Sequence, residues 1–301
     1  MPIDVFINVL FKPLQTALAL LSLLRHSGER IGRIFFIEEP PNHPGQHDLL
    51  LALLRRRLGE RLVHYRPAHY ITWHTPVDPA RLTDEAYRLS IRYQYGWERS
   101  TADLALIIHN DIEVFGDIAS ALAANLGDHL AIGQIGGCLF CPAHWAGKCT
   151  PDSYLSFRPS RAYLLRLYER MPEGRNLHPY NRSLPEEFTA HPWPLPHCRV
   201  NEWCLLANLG EARPLTAPFG PALPLGAMAR CGDEIMDTGV RWFRDISLAG
   251  RACRNYPVQD HLTHHPGGHK AMNDFAAYEA GEARAAATLA RDYPGEFPVA
   301  G

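Results

Sequence analysis

The sequence lacks a long uninterrupted apolar run. Its most apolar early stretch, Leu14 to Leu24, is broken by Gln15, Thr16 and Ser22 and reads as a core helix, not a signal peptide or membrane span. A basic leader is missing as well, since the start is Met1-Pro2-Ile3-Asp4-Val5. There is little excess of either charge: the formal net charge is -2 and the charges are interleaved. That balance excludes the basic field through which proteins bind nucleic acid or anionic lipid by their phosphates. No internal repeat is found. Seven cysteines without a signal favour reduced thiols or metal ligands over a disulfide framework, and a cytoplasmic location is expected.

What is present is enough apolar material for a full core. With 301 residues and 46% hydrophobic composition, the chain fits one large α/β domain or two small ones. Asp4 to Leu10 reads as a strand, Pro13 suits the first position of a helix lined by Leu14, Leu18, Leu21 and Leu24, and Ile31 to Ile37 reads as a second strand. This strand-helix-strand unit is a right-handed parallel crossover in outline. A helix is expected over 48–62, a third strand within 63–71, a helix over 83–95, a strand at Leu104 to Ile108, a helix from Asp117 to about Leu126 and a strand from His129 to Ile135. Such alternation predicts a mostly parallel central sheet with helices on both faces. The second half is less regular, with Pro-, Gly-, Asn- and His-rich segments at 142–159 and 172–196, a helix near 160–169 and a closing Ala-rich helix over 274–292.

The most informative motif is His109-Asn110-Asp111, which ends the apolar run Leu104 to Ile108. An acidic residue at the C-terminal lip of a buried strand sits where an open α/β sheet holds its ligand; taken alone, Asp111 equally shapes a turn. Glu38-Glu39 ends the preceding strand, so both acidic positions can face one crevice. Carboxylates and an imidazole there suit Mg²⁺ or Mn²⁺. Downstream, Asp260 to His269 holds four histidines, His261, His264, His265 and His269. Val200-Asn201-Glu202-Trp203 combines an amide, a carboxylate and a broad aromatic face, which suits sugar recognition, and reads equally as the start of a packed helix. Asp237 is placed to cap a helix over 238–249.

These motifs occur in an order that resembles the GT-A nucleotide-sugar glycosyltransferases, and look most like the family-two-type members. The resemblance is carried by Leu20-Leu21-Ser22-Leu23-Leu24, Phe35-Phe36-Ile37-Glu38-Glu39, His109-Asn110-Asp111, and the tract Asp237-Thr238-Gly239-Val240-Arg241-Trp242-Phe243 that continues through Tyr256-Pro257 to His264-His265-Pro266-Gly267-Gly268. It covers residues 3–40, 96–135 and 231–270. It implies a Rossmann-like GT-A fold, residues 1–301 forming one domain: 1–135 a nucleotide-sugar-binding half, 136–275 an acceptor and catalytic half, and 276–301 a C-terminal helix and tail. It further implies sugar transfer from a nucleotide sugar to a glycan, lipid-linked or small-molecule acceptor, inverting and assisted by Mn²⁺ or Mg²⁺. Glu38, Glu39, His109, Asn110 and Asp111 would contact the donor; Asp111, His265 and His264 the metal; Asn201, Glu202 and Trp203 the acceptor. Asp237 would be the base, with Glu234 and Asp233 in reserve. His109 stands in the first acidic place of the family's metal motif.

Cys138, Cys141 and Cys149 form a C-x2-C-x7-C run in knuckle-like company, and with Cys198 they are expected to hold a structural Zn²⁺ in the loop-rich segment 138–198; the alternative is four partly buried thiols. Cys204, Cys231 and Cys253 are expected in the core. Two competing functions follow from the same residues. One is a metal-dependent hydrolase built on the His261–His269 cluster and Asp111, and the other a non-catalytic, zinc-containing carbohydrate-binding protein.

Overall fold

The computed structural model describes residues 1–72, 75–138, 141–171, 187–195, 198–231, 234–265 and 274–297. Its centre is a seven-stranded sheet. In chain order the strands are β1 (Ile3–Val9), β2 (Ile31–Glu38), β3 (Leu62–Tyr65), β4 (Leu104–Ile108), β5 (Ile112–Val114), β6 (Ala131–Gly136), β7 (Arg199–Asn208), β8 (Met228–Cys231), β9 (Glu234–Asp237), β10 (Cys253–Asn255) and β11 (Leu262–His264). The sheet runs β10-β6-β7-β4-β1-β2-β3, while β11 pairs with β5 and β8 with β9 in separate two-stranded ribbons. Pairing is parallel throughout the large sheet except at β7, which is antiparallel to both β4 and β6.

Side chains alternate across this sheet with the period of a strand. Phe6, Phe35, Ile37, Ala105 and Ile107 enter one core, with Trp242 and Phe243 of the Thr238–Leu248 helix and Leu164 of the Arg161–Glu169 helix. Val5, Ile7, Ile34, Phe36, Leu106 and Ile108 enter the other, against the helices Pro13–Ser27, Asp48–Leu58, Ile118–Asn125 and Phe275–Asp292. Helices therefore cover both faces, as the alternation predicts. The Pro13–Ser27 helix starts at Pro13 and buries every residue from Gln15 to Leu24, because the sheet lies on one side and the Phe275–Asp292 helix on the other. Truncating its fully buried Leu20 to Ala would cost about 2–5 kcal/mol.

Several elements differ from expectation for identifiable reasons. The helix from Asp48 ends at Leu58, where Gly59 takes φ 58 and a short 3-10 turn leads into β3. β3 stops at Tyr65, just before Arg66-Pro67, since proline restricts the residue before it and donates nothing to a ladder. The helix expected over 83–95 is two short helices, Glu85–Arg88 and Gln94–Arg99. The Val200–Trp203 segment is no helix: it belongs to β7, ten residues long and central in the sheet. Among the described residues no helix is long and apolar enough to cross a membrane.

Candidate active site

The order β3-β2-β1-β4 makes the chain reverse its direction of travel across the sheet between β1 and β4. Open α/β sheets bind ligands in the crevice outside the carboxyl ends of the strands at such a point. Lys12 follows β1 there, Glu38 and Glu39 end and follow β2, and His109 to Asp111 follow β4.

Asp111 is 3% exposed and lies between one ammonium and two imidazoles. Its Oδ2 meets Lys12 Nζ at 2.8 Å, its Oδ1 meets His264 Nε2 at 3.1 Å, and His109 Nδ1 is 3.9 Å from the same Oδ1. The β5–β11 ribbon delivers His264, pairing it with Ile112, the residue after Asp111. Donor atoms of His109, Asp111 and His264 all lie within 4.8 Å of one another, and they make the single such group of three or more His, Cys, Asp or Glu among the described residues. Burial alone would raise the Asp111 carboxyl; the His264 hydrogen bond and the Lys12 ammonium outweigh it and hold it well below the usual carboxylate range. Burial pushes His109 the other way, down to about 3 against the pull of Asp111, so its imidazole is neutral and able to ligate. Two imidazoles and one carboxylate fit a divalent ion such as Mn²⁺.

A few residues away in the same crevice the carboxylates behave differently. Glu39 is 1% exposed; its Oε1 is 3.7 Å from Arg92 Nε, and its Oε2 has no hydrogen-bond partner among the described residues. Burial outweighs Arg92 and pushes it up to about 7. Glu202, on β7, accepts the Gly226 amide at 3.3 Å as its one hydrogen bond among the described residues, and burial next to Asp237 raises it well above the carboxylate range despite Arg92. Asp237 is the N-cap of the Thr238–Leu248 helix, its Oδ1 accepting from Gly239 N at 2.7 Å. A Cβ on Gly239 would stand 2.2 Å from Glu202 Oε1, so glycine is what lets Glu202 reach this helix start.

The remaining expected site residues divide by geometry. Glu38, expected at the nucleoside, gives its carboxylate to His64 at 2.7 Å and His47 at 3.3 Å. Asn110, expected at the donor, turns its amide to Leu10 O, Phe11 O and Thr16 Oγ1. His265, expected at the metal, faces Glu113 at 3.1 Å, since neighbouring residues at a strand end point to opposite sides. Trp203 stacks on His264 with ring centroids 5.1 Å apart at 4°. Asn201 donates to Gln134 O at 3.0 Å. Both, with Glu202, lie where the β6–β7 register jumps from Gly133↔Leu205 to Ile135↔Val200, a bulge that re-aims side chains at the sheet rim. Asp233, His269 and the side chain of Glu234 lie outside the described residues.

Cys138, Cys141, Cys149 and Cys198 are free thiols beside one another at the edge of one core. The Cys141 sulfur accepts from the backbone N–H groups of His144 and Ala143, yet burial lifts the thiol to about 11, and Cys149 rises to about 12. No three of these sulfurs lie within 4.8 Å of one another. Cys204 and Cys253 are buried in the core as expected, and the side chain of Cys231 is outside the described residues.

Sequence reading missed Lys12 and Arg92. Lys12 carries a signal: the chain has three lysines, Lys12, Lys148 and Lys270, and this one stands between a strand and a helix-opening proline. Arg92 carries none, because 27 arginines make any one unremarkable by composition.

No family model matches the chain, and no curated protein matches it. Among solved structures it is similar to mouse xyloside xylosyltransferase 1 in its apo form, at 12% identity and TM-score 0.42, over 85% of each chain. It is similar to the galactosyltransferase LgtC bound to donor and acceptor sugar analogues, at 16% identity and TM-score 0.36, over 70% of this chain and 59% of that one. The apo bifunctional glycosyltransferase WbbM follows at 13% identity and TM-score 0.35, over 69% of this chain and 31% of that one.

Proposed function

We propose that the protein is a GT-A-type glycosyltransferase that moves a sugar from a nucleotide-sugar donor to an acceptor hydroxyl with a divalent metal ion at His109, Asp111 and His264. The observation that carries the reading is that donor set at the switch point of the sheet, with Arg92 acting both on its His109 and on Glu39, Glu202 and Asp237. Mn²⁺ or Mg²⁺ there would offset the negative charge that gathers on a departing diphosphate. Asp237, half-buried and fixed at a helix start, is the base that accepts the acceptor hydroxyl's proton as the anomeric bond breaks through an oxocarbenium-like state, giving inversion. Glu202, kept protonated at neutral pH beside it, donates a hydrogen bond to a ligand hydroxyl. Glu39, with an unpartnered buried oxygen, faces the nucleoside. The acceptor is a glycan, a lipid-linked sugar or a small molecule, read by Trp203 and Asn201.

Calorimetry with uridine and guanosine diphosphate, each with Mn²⁺ or with chelator, tests the reading, with Asp111→Ala as control. Metal-strengthened binding by the parent protein and its loss in the variant are expected. No nucleotide binding together with turnover of simple esters would move the assignment to the metal-dependent hydrolase. A structural Zn²⁺ on Cys138, Cys141, Cys149 and Cys198 is a separate expectation, favoured by the two amide donors on the Cys141 sulfur. Metal analysis of purified protein decides it, and less than one zinc per two chains counts against it.

A further inference from the structure

Lys12 is one of the most constrained residues in the molecule. It is 6% exposed, and its backbone takes φ 57 directly after Phe11 at φ 54, two successive non-glycine residues in the left-handed region. That region is unfavourable for side-chain-bearing residues, so the turn persists only because its surroundings fix it. Asn42 accepts the Phe11 N–H, His47 Nε2 meets Phe11 O at 3.3 Å, and Asn110 donates to Leu10 O and Phe11 O. Directly after it, Glu282 of the Phe275–Asp292 helix accepts Leu14 N and Gln15 N and holds the start of the next helix. All this places one ammonium on Oδ2 of Asp111, the only carboxylate of the His109–Asp111–His264 group, whose Oδ1 faces His264.

The charges decide what that arrangement does. Asp111 is the only carboxylate of the group, and the Lys12 ammonium at 2.8 Å opposes its charge. A divalent ion arriving alone would meet a carboxylate already neutralised and a fixed positive charge within hydrogen-bond distance of its own ligand. We propose that Lys12 makes cation occupancy of the His109–Asp111–His264 group conditional on a polyanion, so that a divalent metal and a diphosphate enter the crevice together. A diphosphate supplies the negative charge that the protein's own ligands lack, and Lys12 then serves as a second positive neighbour for it. The identity of the polyanion rests on the glycosyltransferase reading; the charge argument does not.

The test is Mn²⁺ affinity in the full chain, read by calorimetry and by the paramagnetic resonance of free Mn²⁺, alone and with pyrophosphate, uridine diphosphate or guanosine diphosphate. The parent protein is expected to bind Mn²⁺ weakly alone and at least roughly tenfold more tightly with a diphosphate. Lys12→Met and Lys12→Gln are expected to bind Mn²⁺ alone at least roughly tenfold more tightly than the parent, with Lys12→Arg unchanged. Unaltered or weaker Mn²⁺ binding in a folded neutral variant would overturn the proposal, and one folded neutral variant is enough. Should neither fold, Mn²⁺ affinity in the parent that is the same with and without pyrophosphate would overturn it equally. Pyrophosphate linkage without any nucleotide binding would sink the glycosyltransferase reading and leave this inference standing, whereas nucleotide binding with unchanged Mn²⁺ affinity in the neutral variants would do the reverse.

Discussion

Two sets of carboxylates share one crevice and are driven in opposite directions. Asp111 and Glu39 are equally removed from water, yet Asp111 is held low and Glu39 is lifted to about 7. The difference is partners: Asp111 has an ammonium at 2.8 Å and an imidazole at 3.1 Å, while Glu39 has a guanidinium at 3.7 Å and the Asn8 amide, which are too little to offset burial. Burial sets the size of the stakes and the neighbours set the sign. A pocket that keeps one carboxylate charged and leaves another poised to take up or release a proton near neutral pH has set two carboxylates to different tasks.

The comparison breaks most visibly at Asp111. Asp111→Asn should lower the proposed transferase activity by roughly 10²–10³-fold and, by leaving Lys12 without its buried counter-charge, destabilise the fold by about 3 kcal/mol. Activity assays and denaturant unfolding check this, and an active, stable variant would remove Asp111 from the site. Asp237→Asn separates charge from capping, since asparagine caps as well as aspartate. Activity is expected to fall on the order of 10²-fold with under about 1 kcal/mol change in stability, and undiminished turnover would end its role as base.

Glu39 sharpens the other end. Its folded value lies above its unfolded one, so the stability it contributes is fully present below about 4.5 and is lost as pH rises through about 7. Glu39→Gln should flatten the pH dependence of Tm across that window and stabilise the protein above it, by at most roughly 3 kcal/mol; a parallel shift at every pH would contradict the burial argument. The smallest effect is expected from Asn110→Ala. It removes two long hydrogen bonds of 3.4 Å to the Leu10–Lys12 turn and one of 3.2 Å to Thr16, and should cost about 1 kcal/mol, measured by unfolding, with metal affinity moving as the turn loosens.

The first crossover, β4 and the Asp117-capped helix were legible because each is a local pattern: a strand period, a proline at a helix start, an acceptor at an N-cap. Asp111 was legible for the same reason, being the first acidic residue after a buried strand. β7 was not. Arg199-Val200-Asn201-Glu202-Trp203 has no clean alternation, and a bulge interrupts its register where Glu202 and Trp203 turn toward the rim. The choice between His264 and His265 was equally hidden, because it depends on the ribbon register with β5, a contact between segments about 150 residues apart. Lys12 lay outside any motif, and its role comes from a left-handed turn that no residue type in Phe11-Lys12 advertises.

The β5–β11 ribbon also bears on how the protein comes into being. The last strand of the large sheet ends at Asn255, and His264 leaves the ribosome only after it. The sheet can assemble from segments already synthesised, whereas the His109–Asp111–His264 group waits for a later, long-range closure, the kind of contact that forms slowly. A nascent chain would thus pass through a stage with the crevice of the large sheet formed and the His109–Asp111–His264 group still incomplete, and the order of synthesis itself would keep that group from closing until β11 is made.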